Sequence, residues 1–155
     1  MYRRRLNFIQ DLLTYGYGHL FYVDADSIIN RYDPDLIPFV ESCELTMRIK
    51  TFDDDYDKRE VVGFSGSTLG IKCNDIGKEF YQRYCEYNEH DYTEMATQYL
   101  LSNAYNDVRD RINFNPLPRI YCNPWHGDDA VIWEGNGSKK KKKDFIREMK
   151  RVENA

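Results

Sequence analysis

The chain has 155 residues, of which 41% are hydrophobic and 15% aromatic, and this size and composition fit one folded domain rather than a disordered chain. Its formal net charge is -4, with a basic run only at 139–143, so the composition does not favour a nucleic-acid partner. The four cysteines are widely spaced and support neither a zinc site nor a dense disulfide framework, and no apolar stretch approaches the roughly 20 residues of a membrane span. We therefore expect a cytoplasmic protein with no membrane span.

The first segments predict a helix, a turn and a strand. Leucine and isoleucine recur at helical spacing over residues 3–15, and Gly16 and Gly18 then allow a tight turn. The apolar run from Leu20 to Val23 follows. Its β-branched and aromatic residues are typical of a buried strand.

Two acids, Asp24 and Asp26, follow this strand one residue apart. Open α/β sheets bind ligands outside the carboxyl ends of their strands. Two hard oxygen donors at such a place suit Mg²⁺ or Mn²⁺, which in turn can hold a substrate diphosphate. A solvated turn or a helix cap explains the two acids equally simply, so other segments must decide.

The middle of the chain predicts a short helix at Leu36–Glu41, an edge strand at Leu45–Ile49 and two strand pieces within Val61–Cys73. The two pieces are separated by Ser65-Gly66-Ser67-Thr68. Small residues there let a ligand approach the backbone, and the hydroxyls could bond sugar or phosphate oxygens. A β-bulge without a ligand is the alternative.

Further elements are predicted in the second half. One helix runs from Asp75 to about Asn88, and another starts at Asp91 or Thr93. The inward residues predicted for these two helices are Ile76, Phe80, Tyr84 and Tyr87, and then Met95, Tyr99 and Tyr105. Short strands at Ile120–Cys122 and Val131–Trp133, a turn at 135–137 and a closing helix at Asp144–Val152 complete the prediction.

The order of these segments resembles the latter two-thirds of a GT-A glycosyltransferase, a nucleotide-diphospho-sugar transferase. The resemblance covers residues 3–145, and its best motif is Phe21-Tyr-Val-Asp-Ala-Asp. It implies a single α/β domain over 1–155 with a GT-A (Rossmann-like) mixed sheet flanked by helices, and a basic C-terminal helix or tail at 139–155. Only about twenty residues precede Asp24, whereas the family's base- and ribose-binding strands lie there. The domain is therefore expected to be N-terminally truncated or minimal.

The resemblance also implies roles for individual residues. Asp24 and Asp26 match the family's Asp-x-Asp, which contacts the ribose of the sugar nucleotide and the divalent ion on its diphosphate. Ser65 and Gly66 match the strand that lines the sugar and acceptor side of the pocket. Glu94, with Asp91 as a rival, lies near the acid that such enzymes place beside the transferred sugar.

The C-terminal motif departs from the family pattern. Related enzymes often carry a histidine ligand before a final glycine-rich turn, and none occurs in Val131-Ile-Trp-Glu-Gly-Asn-Gly-Ser-Lys. Glu134 is the candidate replacement as third metal ligand, and His126 is another. Gly135, Gly137 and Lys139 are expected to contact the diphosphate.

The function implied is a metal-dependent glycosyltransferase that uses Mn²⁺ or Mg²⁺, a nucleotide-diphosphate sugar and an unknown acceptor. A homo-oligomer or a missing N-terminal segment could complete the nucleotide site. One alternative is a haloacid-dehalogenase-type phosphatase, with Asp24 as nucleophile, Asp26 as general acid, Ser65 or Thr68 on the phosphate and residues 127–129 on Mg²⁺. The other is a tyrosine-rich, non-catalytic binding domain whose acids are merely on the surface.

Overall fold

A computed structural model describes residues 2–25, 27–50, 63–90, 96–123 and 130–134, with Lys143, Ile146, Arg147, Lys150 and Arg151. The helices are α1 (Tyr2–Leu12), α2 (Leu36–Glu41), α3 (Asp75–His90) and α4 (Ala96–Val108). The strands are β1 (His19–Val23), β2 (Ser27–Ile29), β3 (Leu45–Lys50), β4 (Gly63–Lys72) and β5 (Ile132–Glu134), and a 3-10 turn spans Arg119–Tyr121. No helix in these ranges is long and apolar enough to cross a membrane.

The strands form two small antiparallel sheets. One has the order β1-β4-β3 and the other pairs β2 with β5. Parallel pairing within the described ranges is limited to isolated bridges between Leu45 and Phe114 and between Asn123 and Trp133. The protein is therefore an α/β fold, and the Rossmann-like mixed sheet that the resemblance implied is not found among the described strands.

The larger core lies between the three-stranded sheet and the helices α1, α3 and α4. From α3 it takes Phe80, Tyr81 and Tyr84, each at most 2% exposed. The predicted inward positions of Phe80 and Tyr84 are confirmed. These rings pack on sheet residues such as Ile71, so burial of aromatic surface fixes α3 on the sheet.

The inward face of α4 differs from the prediction. Tyr99 is 48% exposed, so its predicted place in the core is wrong. The buried face consists instead of Leu100, Leu101, Ala104 and Val108, which follow the three- and four-residue spacing of one helix face. Tyr105 is partly buried against this core, as predicted.

A second core lies on the other side of β1. Phe21 and Val23 pack against it, whereas Leu20 and Tyr22 pack against the first core. Successive side chains of a strand point to opposite faces. Both faces of β1 therefore pack against a core. The predicted strand is confirmed, although its residues are half-buried rather than buried. The second core contains Leu117, Tyr121, Cys122, Val131 and Ile132.

Two other predicted elements have different outcomes. The strand predicted at Ile120–Cys122 is wrong, because Arg119–Tyr121 forms a 3-10 turn directly after Pro118. The Pro118 carbonyl accepts the N–H of Tyr121 at 3.0 Å and so closes this turn. The closing helix agrees with the prediction where it is described, since Ile146, Arg147, Lys150 and Arg151 are helical.

Candidate functional site

The first predicted acid lies beside the small-residue strand. The backbone N–H of Asp24 donates to the carbonyl oxygen of Ser67 at 2.8 Å. This bond continues the β1–β4 pairing one residue beyond the pair Val23 and Thr68. Two segments that the sequence separates by some forty residues therefore meet at the end of β1, as the family resemblance implied.

The Asp24 side chain is held by a neighbour on its own strand. The Tyr22 hydroxyl donates to Oδ1 of Asp24, and a hydrogen bond to an ionised carboxylate is stronger than one between neutral groups. The carbonyl of Asp24 accepts the N–H of Ser27 at 3.0 Å, so the chain turns sharply here. The second acid, Asp26, lies outside the described residues.

The small-residue segment sits where the pairing of β4 with β3 changes register. Met47 pairs with Leu69 and Ile49 pairs with Phe64. Between these pairs β3 has only Arg48, whereas β4 has the four residues 65–68. The pairing is therefore irregular here, as in a bulge or a larger distortion of the ladder. The two predicted strand pieces are wrong, because β4 is one continuous strand.

The two serines of this segment support each other. The oxygens Oγ of Ser65 and Ser67 lie 2.6 Å apart, and both residues are buried. Gly66 between them is half-buried, although the β4 residues on either side of it are buried. A ligand that approached this segment would therefore meet the fewest side-chain atoms at Gly66.

Cys122, at the end of the 3-10 turn, contacts both the buried Arg48 of β3 and this segment. Arg48 is 4% exposed and donates from Nη1 to the carbonyl oxygen of Cys122 at 2.5 Å. Sγ of Cys122 lies 3.8 Å from Oγ of Ser67. A buried guanidinium requires such acceptors. Sequence reasoning missed this link, because Arg48 alternates with apolar residues in β3 and such a position is typical of a solvent-facing side chain.

The strand pair β2–β5 brings a third segment to the same place. Ser27 pairs with Glu134, Ile28 with Trp133 and Ile29 with Ile132. Ile28 and Trp133 are buried against each other in a small cluster of their own. The backbone of Glu134 therefore lies opposite the residue that follows the acid pair, although its side chain is not among the described parts.

Several predicted site residues lie outside the described part of the chain, so their roles stay predictions. Within the described ranges, no group of three or more histidine, cysteine, aspartate or glutamate side chains could hold a metal ion. The undescribed candidates are Asp26, Asp91, Glu94, His126, Gly135, Gly137 and Lys139, together with the Glu134 side chain.

The position of Thr68 bears on the phosphatase alternative. Thr68 is fully buried and pairs with Val23 in the ladder between β1 and β4. Its hydroxyl therefore cannot meet a phosphate without rearrangement of the sheet. The residues 127–129 that would hold Mg²⁺ in that alternative are outside the described ranges.

Comparison with known proteins relates this chain to a solved structure. No protein-family model matches the sequence, and no curated protein sequence matches it. A solved structure that is similar is that of the glycosyltransferase GlyE from Streptococcus pneumoniae TIGR4, with a TM-score of 0.62 and 21% sequence identity. The similarity covers 90% of this chain but 38% of GlyE, so the chain spans less than half of that protein. The likeness shows that the chain has the fold of part of a glycosyltransferase.

Proposed function

We propose that this domain transfers a sugar from a nucleotide-diphosphate donor to an acceptor. The observation that carries the proposal is the meeting of Asp24, the Ser65–Thr68 segment and the Glu134 strand at one end of β1. An apolar strand that ends in a carboxylate beside a glycine-containing segment suits a diphosphate–metal complex. The likeness of the fold to that of GlyE supports the same interpretation.

The proposed metal ligands are Asp24, Asp26 and Glu134. Their carboxylate oxygens are the hard donors that Mn²⁺ and Mg²⁺ prefer, and the pairing of Ser27 with Glu134 supports their convergence. When bound, the ion would supply Lewis-acid stabilisation of the charge on the leaving nucleoside diphosphate. The Tyr22 hydroxyl holds Oδ1 of Asp24 in place, which reduces the reorganisation needed on binding.

The remaining residues act on the donor and the acceptor. Gly66 leaves room for the sugar to approach the β4 backbone. Lys139 and the backbone N–H groups at Gly135 and Gly137 bind the diphosphate oxygens. Glu94, with Asp91 as the alternative, orients a hydroxyl group or accepts the proton of the acceptor.

The test is ligand-dependent thermal stability of the full chain. Mn²⁺ with a nucleoside diphosphate should raise the melting temperature, and neither component should do so alone to the same extent. Ligand at a hundred times its Kd stabilises the folded state by about 2.7 kcal/mol, which corresponds to roughly 5 to 10 °C for a domain of this size. Asp24→Asn and Asp26→Ala should each remove this shift.

The matched control is Asp11→Asn, which removes an exposed carboxylate on α1 and should keep the shift. An undiminished shift in Asp26→Ala would sink the assigned metal site. Hydrolysis of a generic aryl phosphate that Asp24→Asn abolishes, without any sugar transfer, would favour the phosphatase alternative. No ligand-dependent shift with any nucleoside diphosphate would favour the non-catalytic domain.

A further inference from the structure

The C-terminal residues 139–151, named here the basic segment, carry a charge opposite to that of the rest of the chain. They contain eight lysines and arginines and two acids, whereas the remainder of the chain contains 14 basic and 24 acidic residues. The basic segment therefore has a net charge of six positive, and the remainder a net charge of ten negative. This asymmetry indicates a partner with a dense negative charge.

The basic segment also carries an apolar stripe. Phe145 and Ile146 are followed by Met149, at four and three residues from them, and by Val152 just after the segment, which is the spacing of one helix face. At 3.6 residues per turn, the cationic residues from Lys143 onward group on a different side of the same helix. The sequence therefore combines a cationic stripe and an apolar stripe in one amphipathic helix.

The described residues agree with this pattern. Ile146, Arg147, Lys150 and Arg151 are helical and, like Lys143, exposed. Ile146 is 45% exposed, so nearly half of one large apolar side chain of the stripe meets solvent. Transfer of that side chain from water into an apolar environment would be favourable.

We propose that the basic segment docks the protein on an anionic phospholipid bilayer surface. Lysines and arginines near such a surface gain electrostatic energy from its negative potential, and the apolar stripe can enter the boundary between headgroups and acyl chains. A nucleic-acid duplex would use the same cations but would leave the apolar stripe exposed. The negative charge of the remaining chain is repelled by the lipid surface, so it orients the protein with this helix toward the bilayer.

The experiment is co-sedimentation of the full chain with vesicles of phosphatidylcholine, alone or mixed with phosphatidylserine. We expect binding to the mixed vesicles only, and release at high salt. Replacement of all five lysines of 139–143 by glutamine should lower the partition coefficient at least about a hundredfold. Phe145→Ser combined with Ile146→Ser should lower it at least about tenfold, because the inserted apolar area is lost.

The control carries the same change of charge at another place. This variant should bind lipid within about threefold of the original chain. It combines Arg3→Gln, Arg4→Gln, Arg5→Gln, Lys72→Gln and Lys78→Gln. Circular dichroism confirms that each variant is folded. The proposal is overturned by equal binding to neutral vesicles, by an equal loss in the control, or by binding to duplex DNA or RNA with none to lipid. It does not depend on the proposed transferase activity, since no nucleotide or metal is present in the assay.

Discussion

The contact between α3 and β4 allows a sharp prediction about Gly77. A Cβ atom at this position would lie 2.0 Å from the carbonyl oxygen of Lys72 and 3.0 Å from Cγ2 of Ile71. The N–H of Gly77 also donates to Oδ1 of Asn74 at 3.0 Å, so the first turn of α3 is fixed where it starts. Substitution by alanine must therefore move the helix away from the strand.

The expected cost of Gly77→Ala follows from this geometry. The clash is with a backbone atom, so no change of side-chain rotamer relieves it. A shift of α3 loosens the packing of Phe80, Tyr81 and Tyr84, which are at most 2% exposed. Overpacking of this kind costs about 3 kcal/mol at the upper end of the usual range, and the better helix propensity of alanine returns about 1 kcal/mol. We expect a net loss of about 2 kcal/mol or more.

Urea unfolding of three glycine variants tests this reasoning. At Gly18 no atom lies within 4 Å of the added Cβ, so Gly18→Ala should stay within about 0.5 kcal/mol of the original chain. Gly16 is equally open but has φ of +79°, and Gly16→Ala should lose about 1 kcal/mol through left-handed backbone strain. If Gly77→Ala is no less stable than Gly18→Ala, α3 does not approach the end of β4 as closely as these distances require.

Two further predictions concern stability. The N–H of Asn113 donates to the Glu44 carboxylate at 3.0 Å and helps to hold the pKa of Glu44 below its ordinary value near 4.5. A carboxylate with a lowered folded-state pKa stabilises the fold above its unfolded pKa, and this stabilisation is lost as the pH falls through the folded value. In urea unfolding Glu44→Gln should therefore cost about 1 kcal/mol at pH 7 and progressively less as the pH falls below the unfolded-state pKa. A difference that stays constant with pH would contradict the assigned hydrogen bonds. In the same assay Tyr84→Ala should lower the free energy of unfolding by about 3 to 5 kcal/mol, and Tyr99→Ala by less than about 1 kcal/mol. Equal losses in the two variants would contradict the exposed position of Tyr99.

Local sequence patterns predicted those helices and strands whose formation depends mainly on neighbouring residues. Leu36–Glu41 is helical as expected, and the strand before Asp24 was visible because its apolar run is bounded by a glycine turn and an acid. The prediction for Tyr99 failed because Leu100, Leu101 and Ala104 offer a competing apolar face one residue along the helix. Periodicity alone cannot rank two overlapping faces, since the choice depends on what packs against them.

The candidate site was predictable in part for the same reason. The proximity of Asp24 to the Ser65–Thr68 segment was implied by the family resemblance, and the hydrogen bond to Ser67 agrees with it. The link from Arg48 to Cys122 was not predictable, because it joins residues whose neighbours in sequence show no pattern. Such a contact is defined only when the sheet and the 3-10 turn are both in place.

The packing of β1 between the two cores determines its pairing register with β4, and this register determines the position of Asp24. Leu20 and Tyr22 belong to one core, whereas Phe21 and Val23 belong to the other. A slip by one residue would exchange these faces and turn every side chain toward the wrong core. The packing of four apolar residues therefore fixes which residue of β4 lies opposite Asp24. The packing of β1 therefore holds the backbone N–H of residue 24 on the Ser67 carbonyl, so substitution of the Asp24 side chain should leave this backbone position unchanged.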